Sequence, residues 1–297
     1  MRLEAETWVD PELINYAREN LVAYHLNVDS AANKEFSNKY NIRFIPSFVF
    51  VDEEGNEIDR IVGFMPPDEY LEEIKRIRNG VNTIPDLSSR LEEDPDNAEL
   101  LVQLATKLEN ASGLEAAMSY WEILFKRDDI EAETKSLARL KLALYYSQEN
   151  EDPEALESFV NEETNTAVLP EAFDALRSFY KSAGDTLMEA ATYQRYVDFM
   201  SGLDKTSPSL LNGYAWRMTQ LNQNLDNALE RVNQAIVALT DEDGRNRERA
   251  QILDTKGEVL WKLGRIDEAV AIMDECILLQ PEDEYYQKQK AKFLESK

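Results

Sequence analysis

One cysteine in 297 residues, Cys276, leaves no partner for an intrachain disulfide and no dithiol within this sequence. The single histidine, His25, has no second histidine or cysteine pair to complete a zinc set, so it is read as structural and no metal is expected. Neither a glycine-rich phosphate loop nor a Gly-x-Ser-x-Gly nucleophile turn occurs, and no cofactor is called for. Long hydrophobic runs are lacking too: "FIPSFVFV" and "AVAIM" fall far short of the roughly 20 residues that a spanning helix needs, which excludes membrane insertion by a helix. The opening "MRLEAETWVD" has no apolar stretch or small-residue cleavage site, so the sequence as written is expected in the cytoplasm. A periplasmic or exported setting is the alternative for a longer form with a secretory leader. Positive charge is scarce, with 32 basic residues against 58 acidic ones, and the formal charge of −26 repels phosphate backbones and anionic headgroups. Nucleic acid is therefore not an expected partner.

Core material is plentiful. The hydrophobic fraction is 43% and the aromatics include 13 Tyr, 11 Phe and 4 Trp, while only 10 Gly and 10 Pro leave little for disordered linkers. The length suits two domains. In the first 80 residues, Asp10-Pro11-Glu12 predicts a helix start, "LVAYHLNVD" a strand, and "SAANKEFSNKY" a short helix. Ser47-Phe48-Val49-Phe50-Val51, the turn Asp52-Glu53-Glu54-Gly55-Asn56 and the run from Glu57 to Val62 predict a β-hairpin. "PPDEYLEEIKRIRNG" then predicts a helix ending at Gly80. Pro46, lacking a backbone donor, marks a strand entrance or a bend.

Beyond about residue 84 the strand signals stop and helical runs follow one another. In residues 250–283, Leu253, Gly257, Leu260, Gly264, Ala269, Met273, Cys276 and Pro281 occupy the small and large positions of a tetratricopeptide (TPR) repeat. Gly257 and Ala269 allow close helix approach, Leu260 and Met273 fill the gap, and Cys276 is a packing residue. Residues 209–240 repeat the plan with Trp216, Ala228, Val232 and Ala235. Weaker copies surround Ala105, Ala117 and Trp121, then Ala143, Ala155 and Phe159, then Phe173 to Tyr196, giving about five in all. Position counting puts Arg217, Asp254, Glu258, Trp261 and Lys262 on a peptide groove, so proteins or peptides are the expected partners; nothing indicates an oligomeric state. The acidic runs at residues 52–56 and at Asp241-Glu242-Asp243-Gly244 lack calcium-loop spacing and read as solvated turns.

Residues 1 to about 78 resemble the C-terminal three quarters of a thioredoxin domain. The residues that carry the resemblance are "EAETWVDPELI", from Glu4 to Ile14, and "VDSAANKEFSNKYNIRFIPSFVFVDEEGNEIDRIVGF". The resemblance implies a cis Ile45-Pro46 bond and an Ile45 backbone that pairs with an extended substrate. It also implies a Cys-x-x-Cys pair immediately upstream of Met1, and a strand ahead of that pair lying between residues 21–27 and 47–51. The sequence is accordingly read as a truncated gene model or fragment. The expected fold is α/β thioredoxin-like over residues 1–80, with its first strands and redox motif missing, followed by an all-α TPR solenoid over residues 84–297. Two function classes remain open. One is a thiol-disulfide oxidoreductase whose repeats select the substrate, inactive as the chain stands. The other is a non-catalytic adaptor with a degenerate thioredoxin-like domain.

Overall fold

In the computed structural model, which describes residues 2–239 and 246–296, Asp10 caps α1 (Pro11–Asn20) by accepting from the Leu13 N–H at 2.9 Å. A carboxylate on an orphan N–H with proline at the first helical position is what the sequence predicts. Ahead of it, a short π-helical turn, Leu3–Thr7, buries Leu3 and Thr7, and the Thr7 hydroxyl donates to the Met65 carbonyl at 2.7 Å.

Residues 21–27 correct the expectation of a strand. They join no ladder, and Val22 and Tyr24 are exposed. A strand exists only through pairing, and among the described residues no other segment pairs with this one. Helix α2 (Lys34–Lys39) follows a 3-10 turn. The hairpin forms as read: β1 (Ser47–Val51) and β2 (Glu57–Val62) pair antiparallel, with Phe48 opposite Ile61 and a bulge between Phe50 and Val51. Its turn is closed by the Asp52 carboxylate, which accepts from the Glu54 and Asn56 N–H groups, and Gly55 supplies the φ of 79°. Helix α3 (Pro67–Arg78) lays Tyr70, Leu71, Ile74 and Ile77 against Leu13 and Ile61. The rings of Trp8, Phe48 and Tyr70 meet edge to face in series.

The remaining secondary structure is helical. Helices α4 (Ile84–Glu93), α5 (Ala98–Ser112), α6 (Leu114–Lys126) and α7 (Ala132–Glu149) are followed by α8 (Glu154–Glu162), α9 (Leu169–Ala183), α10 (Thr186–Gly202), α11 (Pro208–Leu221), α12 (Leu225–Ala238), α13 (Asn246–Lys262), α14 (Ile266–Leu279) and α15 (Glu284–Glu295). The pairs α5–α6, α9–α10, α11–α12 and α13–α14 pack as antiparallel helical hairpins, the unit of a TPR-type solenoid. The chain is thus a thioredoxin-like α/β region followed by an all-helical repeat region.

It divides into two compact units, Met1–Ala155 and Leu156–Lys297. The first unit joins the hairpin to α4 and α5, both of which pack on β2, and buries Leu101, Ala105, Ala117, Trp121 and Leu124 in its helical core. The repeat copy expected around Ala143 and Ala155 is divided between the units, since the boundary falls within α8. In the second unit, a Cβ at Gly257 would stand 2.6 Å from Met273 Cε. Ala269, Met273 and Cys276 are fully buried around it. The acidic turn read at Asp241 to Gly244 lies outside the described residues.

Candidate functional site

The thioredoxin-like region presents the bend ahead of β1. The Ile45-Pro46 bond is cis. On either side, Ser47 Oγ donates to the Phe44 carbonyl at 2.6 Å and the Gly63 N–H donates to the Pro46 carbonyl at 2.9 Å, which fixes the bend to the end of the hairpin. Phe44 and Ile45 are each 69% exposed, an unusual placement for two adjacent large apolar side chains. Among the described residues, the N–H and carbonyl of Ile45 have no hydrogen-bond partner, so its backbone is open to an extended chain. His25 lies exposed on the 21–27 segment rather than in a strand.

Cys276 is far from nucleophilic. It is fully buried, its thiol lies 3.5 Å from the Ala250 carbonyl, and burial, reinforced by the charge of Asp254, pushes its pKa up to about 12. A thiol protonated at neutral pH neither attacks a disulfide nor binds a metal. Among the described residues, no group of three or more His, Cys, Asp or Glu side chains is placed to hold a metal ion.

The five groove residues expected from the repeats fall into two places. Arg217, on α11, is held by Glu189 of α10 through a bidentate pair at 2.7 and 2.8 Å, and Glu189 is 1% exposed. That hydrogen-bonded pairing raises the Arg217 pKa further. Asp254, Glu258 and Trp261 come together on α13, four and three residues apart on one face, with Lys262 beside them. Helix α15 meets that face. Tyr285 donates to Asp254 Oδ2 at 3.0 Å, Lys292 pairs with Glu258 Oε1, and Phe293 stacks on Trp261 with ring centroids 5.6 Å apart. Two ammonium groups lie over the Trp261 ring, Lys292 at 4.3 Å and Lys262 at 5.0 Å. Burial raises the Asp254 pKa to about 6; the Tyr285 hydrogen bond and the Lys292 charge oppose the shift, and the Glu258 charge adds to it. Sequence reading misses Glu189, Tyr285 and Lys292. The available signal is "YYQKQKAKFLE", an amphipathic helix placed where the next repeat would begin.

These features define a thioredoxin-type α/β region carrying helical repeats. Residues 1–78 match the family model of the thioredoxin-like domain. Over 60 residues the chain is 33% identical to HCF164, a chloroplastic thioredoxin-like protein of Oryza sativa subsp. japonica. The match covers 20% of this chain and 23% of that relative's length. Among solved structures, the chain is similar to YrrB, a TPR protein with an unusual peptide-binding site: identity is 15%, the TM-score 0.45, and the coverage 69% of this chain and 97% of YrrB. It is also similar to TTC0263, a TPR protein of Thermus thermophilus, at 15% identity and a TM-score of 0.26, covering 76% of this chain and 94% of the other. No described helix is long and apolar enough to cross a membrane.

Proposed function

We propose that this chain serves a thioredoxin-like thiol-disulfide oxidoreductase whose helical repeats select the protein partner. The observation that carries the reading is the family match over residues 1–78, together with the unpaired, exposed Ile45 backbone inside it. An extended substrate segment hydrogen-bonds to Ile45 and rests on the Phe44 and Ile45 side chains. A thiolate of a Cys-x-x-Cys pair, stabilised at a helix N-terminus, attacks one sulfur of the substrate disulfide and expels the other as a thiolate. The second cysteine then attacks the mixed disulfide, so the pair is oxidised and the substrate is reduced. Buried Cys276 supplies neither thiol, so in this reading the pair comes from outside these 297 residues. Partners are proteins or peptides engaged by the repeat region, and the proposed compartment is the cytoplasm, or an exported setting for a form with a secretory leader.

Insulin reduction with dithiothreitol tests the reading. The 297-residue chain is expected to give no rate above uncatalysed exchange, and a form extended by a strand and Cys-x-x-Cys to be active. An extended form that folds, holds both thiols and stays inactive would shift the assignment to a non-catalytic adaptor.

A further inference from the structure

Arg43 carries a positive charge that an otherwise acidic chain leaves unpaired. The side chain is exposed, its Nε donates to Asn41 Oδ1 at 3.1 Å, and among the described residues no carboxylate pairs with it. By contrast, Arg60 of β2 pairs with Glu57, and Arg76 of α3 with Asp59. With 58 acidic residues in the sequence, a free guanidinium beside the cis bend is a feature that charge balance alone does not produce.

The position of that guanidinium is set by the first repeat helices. Arg60 donates to the Tyr40 carbonyl at 2.7 Å and to the Ala111 carbonyl at 3.2 Å, which ties the segment leading to Arg43 to the last turn of α5. Asn41 turns the chain with a φ of 46° and holds Arg43 Nε. Gly113, between α5 and α6, has a φ of 100°, and a Cβ there would lie 3.3 Å from Arg43 Nη2. Glycine lets the α5–α6 turn come up to the cation without a side chain to cover it. The run Arg43-Phe44-Ile45 therefore presents a charge, two exposed apolar side chains and an open backbone together. In an extended chain alternate residues stand about 7 Å apart, a span that an arginine side chain covers.

We infer that Arg43 is a specificity residue, selecting an extended substrate segment that carries an aspartate or glutamate two positions from the residue held at Ile45. The occupant follows from charge complementarity: a guanidinium with no carboxylate of its own accepts a bidentate one from a partner. The formal charge of −26 disfavours acidic segments over the surface at large, so a fixed, unpaired cation decides where such a segment lands. This deepens the function proposed above, and it rests on that reading in taking Ile45 as the point where the substrate is held.

The test uses the full chain and three fluorescein-labelled peptides, followed by anisotropy at physiological salt: Gly-Ser-Asp-Ala-Val-Ala-Asp-Ser-Gly and its counterparts with both aspartates replaced by asparagine or by lysine. Acidic residues on both sides of the valine serve either direction of the segment. The aspartate peptide is expected to bind about fivefold more tightly than the asparagine peptide, the upper end for an exposed pair, and Arg43→Gln to abolish that preference. Because a lost preference can also come from a disturbed fold, Arg43→Glu supplies a signal of opposite sign. It is expected to tighten binding of the lysine peptide about fivefold over the wild type, a gain that misfolding does not produce. Equal binding of the aspartate and asparagine peptides, an aspartate preference that survives Arg43→Gln, or a lysine peptide indifferent to Arg43→Glu overturns the role of Arg43 and leaves Ile45 as the holding point. If none of the three peptides binds, both the selection by Arg43 and the substrate surface at Ile45 fall.

Discussion

The Lys107 ammonium donates to both oxygens of Asp59, at 2.7 and 2.8 Å, across 48 positions of sequence. Asp59 lies on β2 and is 3% exposed; Lys107 lies on α5. A third group, Arg76 of α3, reaches Asp59 Oδ2 at 2.8 Å. Next to them, Arg60 pairs with Glu57 and donates to the Tyr40 and Ala111 carbonyls, the latter in the last turn of α5. The outer edge of the hairpin is therefore held to the first repeat helices by charge-assisted hydrogen bonds, which is why the strand-bearing region and those helices form one compact unit. An edge so covered is also closed to pairing with other strands.

Asp59→Asn leaves the Arg76 and Lys107 charges without a carboxylate. Because both cations are about a quarter exposed, the cost is expected near 2 to 3 kcal/mol rather than the upper range for fully buried pairs. Urea unfolding of Asp59→Asn, Lys107→Met and the double variant measures it. A double variant whose loss equals the sum of the single losses would show that the two groups act independently.

The same contacts bear on where the chain can be cut. A fragment of residues 153–297 keeps the whole of the second unit with its buried clusters and is expected to be strongly helical and to melt in one transition. A fragment of residues 84–297 gains α4 to α7 but strips α5 of the β2 partners of Lys107 and Ala111. It is expected to show an added, earlier transition by circular dichroism. A single transition at the temperature of the shorter fragment would contradict this account.

Much of this architecture is visible in local sequence because its causes are local. Asp10-Pro11 caps its helix through groups three residues apart, the 52–56 turn closes on its own carboxylate, and the small positions of the last repeat recur at fixed spacing. What stays hidden depends on distant partners. Residues 21–27 have the composition of a strand, but composition supplies no ladder. Nothing local marks Asp59 as buried, because its counter-ions come from α3 and α5. Counting repeat positions finds Asp254, Glu258 and Trp261, yet their ordering groups stand on α15, some 30 residues further on. The same counting puts Arg217 on the groove but gives no sign of the buried Glu189 that pairs with it.

Gly257 separates two effects that a single substitution would merge. An added Cβ meets Met273 Cε at 2.6 Å, but that atom ends a flexible side chain, and Phe293 and Ile272 stand at 3.4 and 3.7 Å. Gly257→Ala is expected to change stability by less than about 1 kcal/mol, the helix-propensity gain offsetting the displaced methyl group. Gly257→Leu has no such outlet and is expected to cost about 2 to 3 kcal/mol by overpacking. Thermal or urea unfolding distinguishes them, and equal costs for Ala and Leu would show that the gap around Met273 does not exist.

The Asp254 carboxyl predicts a pH dependence of unusual sign for an acidic protein. Its pKa is raised to about 6 in the folded chain, first by burial, against about 3.9 for a solvated aspartate. Between those values the folded chain holds a proton that the unfolded chain releases, so this group stabilises the fold as pH falls from above 6 towards 4 and loses that contribution as pH rises. Above pH 6 the buried charge acts at full strength. A tenfold change in proton affinity is worth about 1.4 kcal/mol, and the side chain is only half-buried, so solvent screening reduces the penalty at pH 7.5 to about 1 to 2 kcal/mol. Asp254→Asn keeps an oxygen for the Tyr285 hydroxyl and removes the charge. Relative to the wild type, it is expected to be more stable by that amount at pH 7.5, with the difference shrinking towards zero near pH 4. Taking the difference between the two proteins cancels the many carboxylates they share. A variant less stable than the wild type at pH 7.5 would mean that the chain's own Lys292 already satisfies both carboxylates. A more stable one would show a residue that costs the fold free energy at neutral pH.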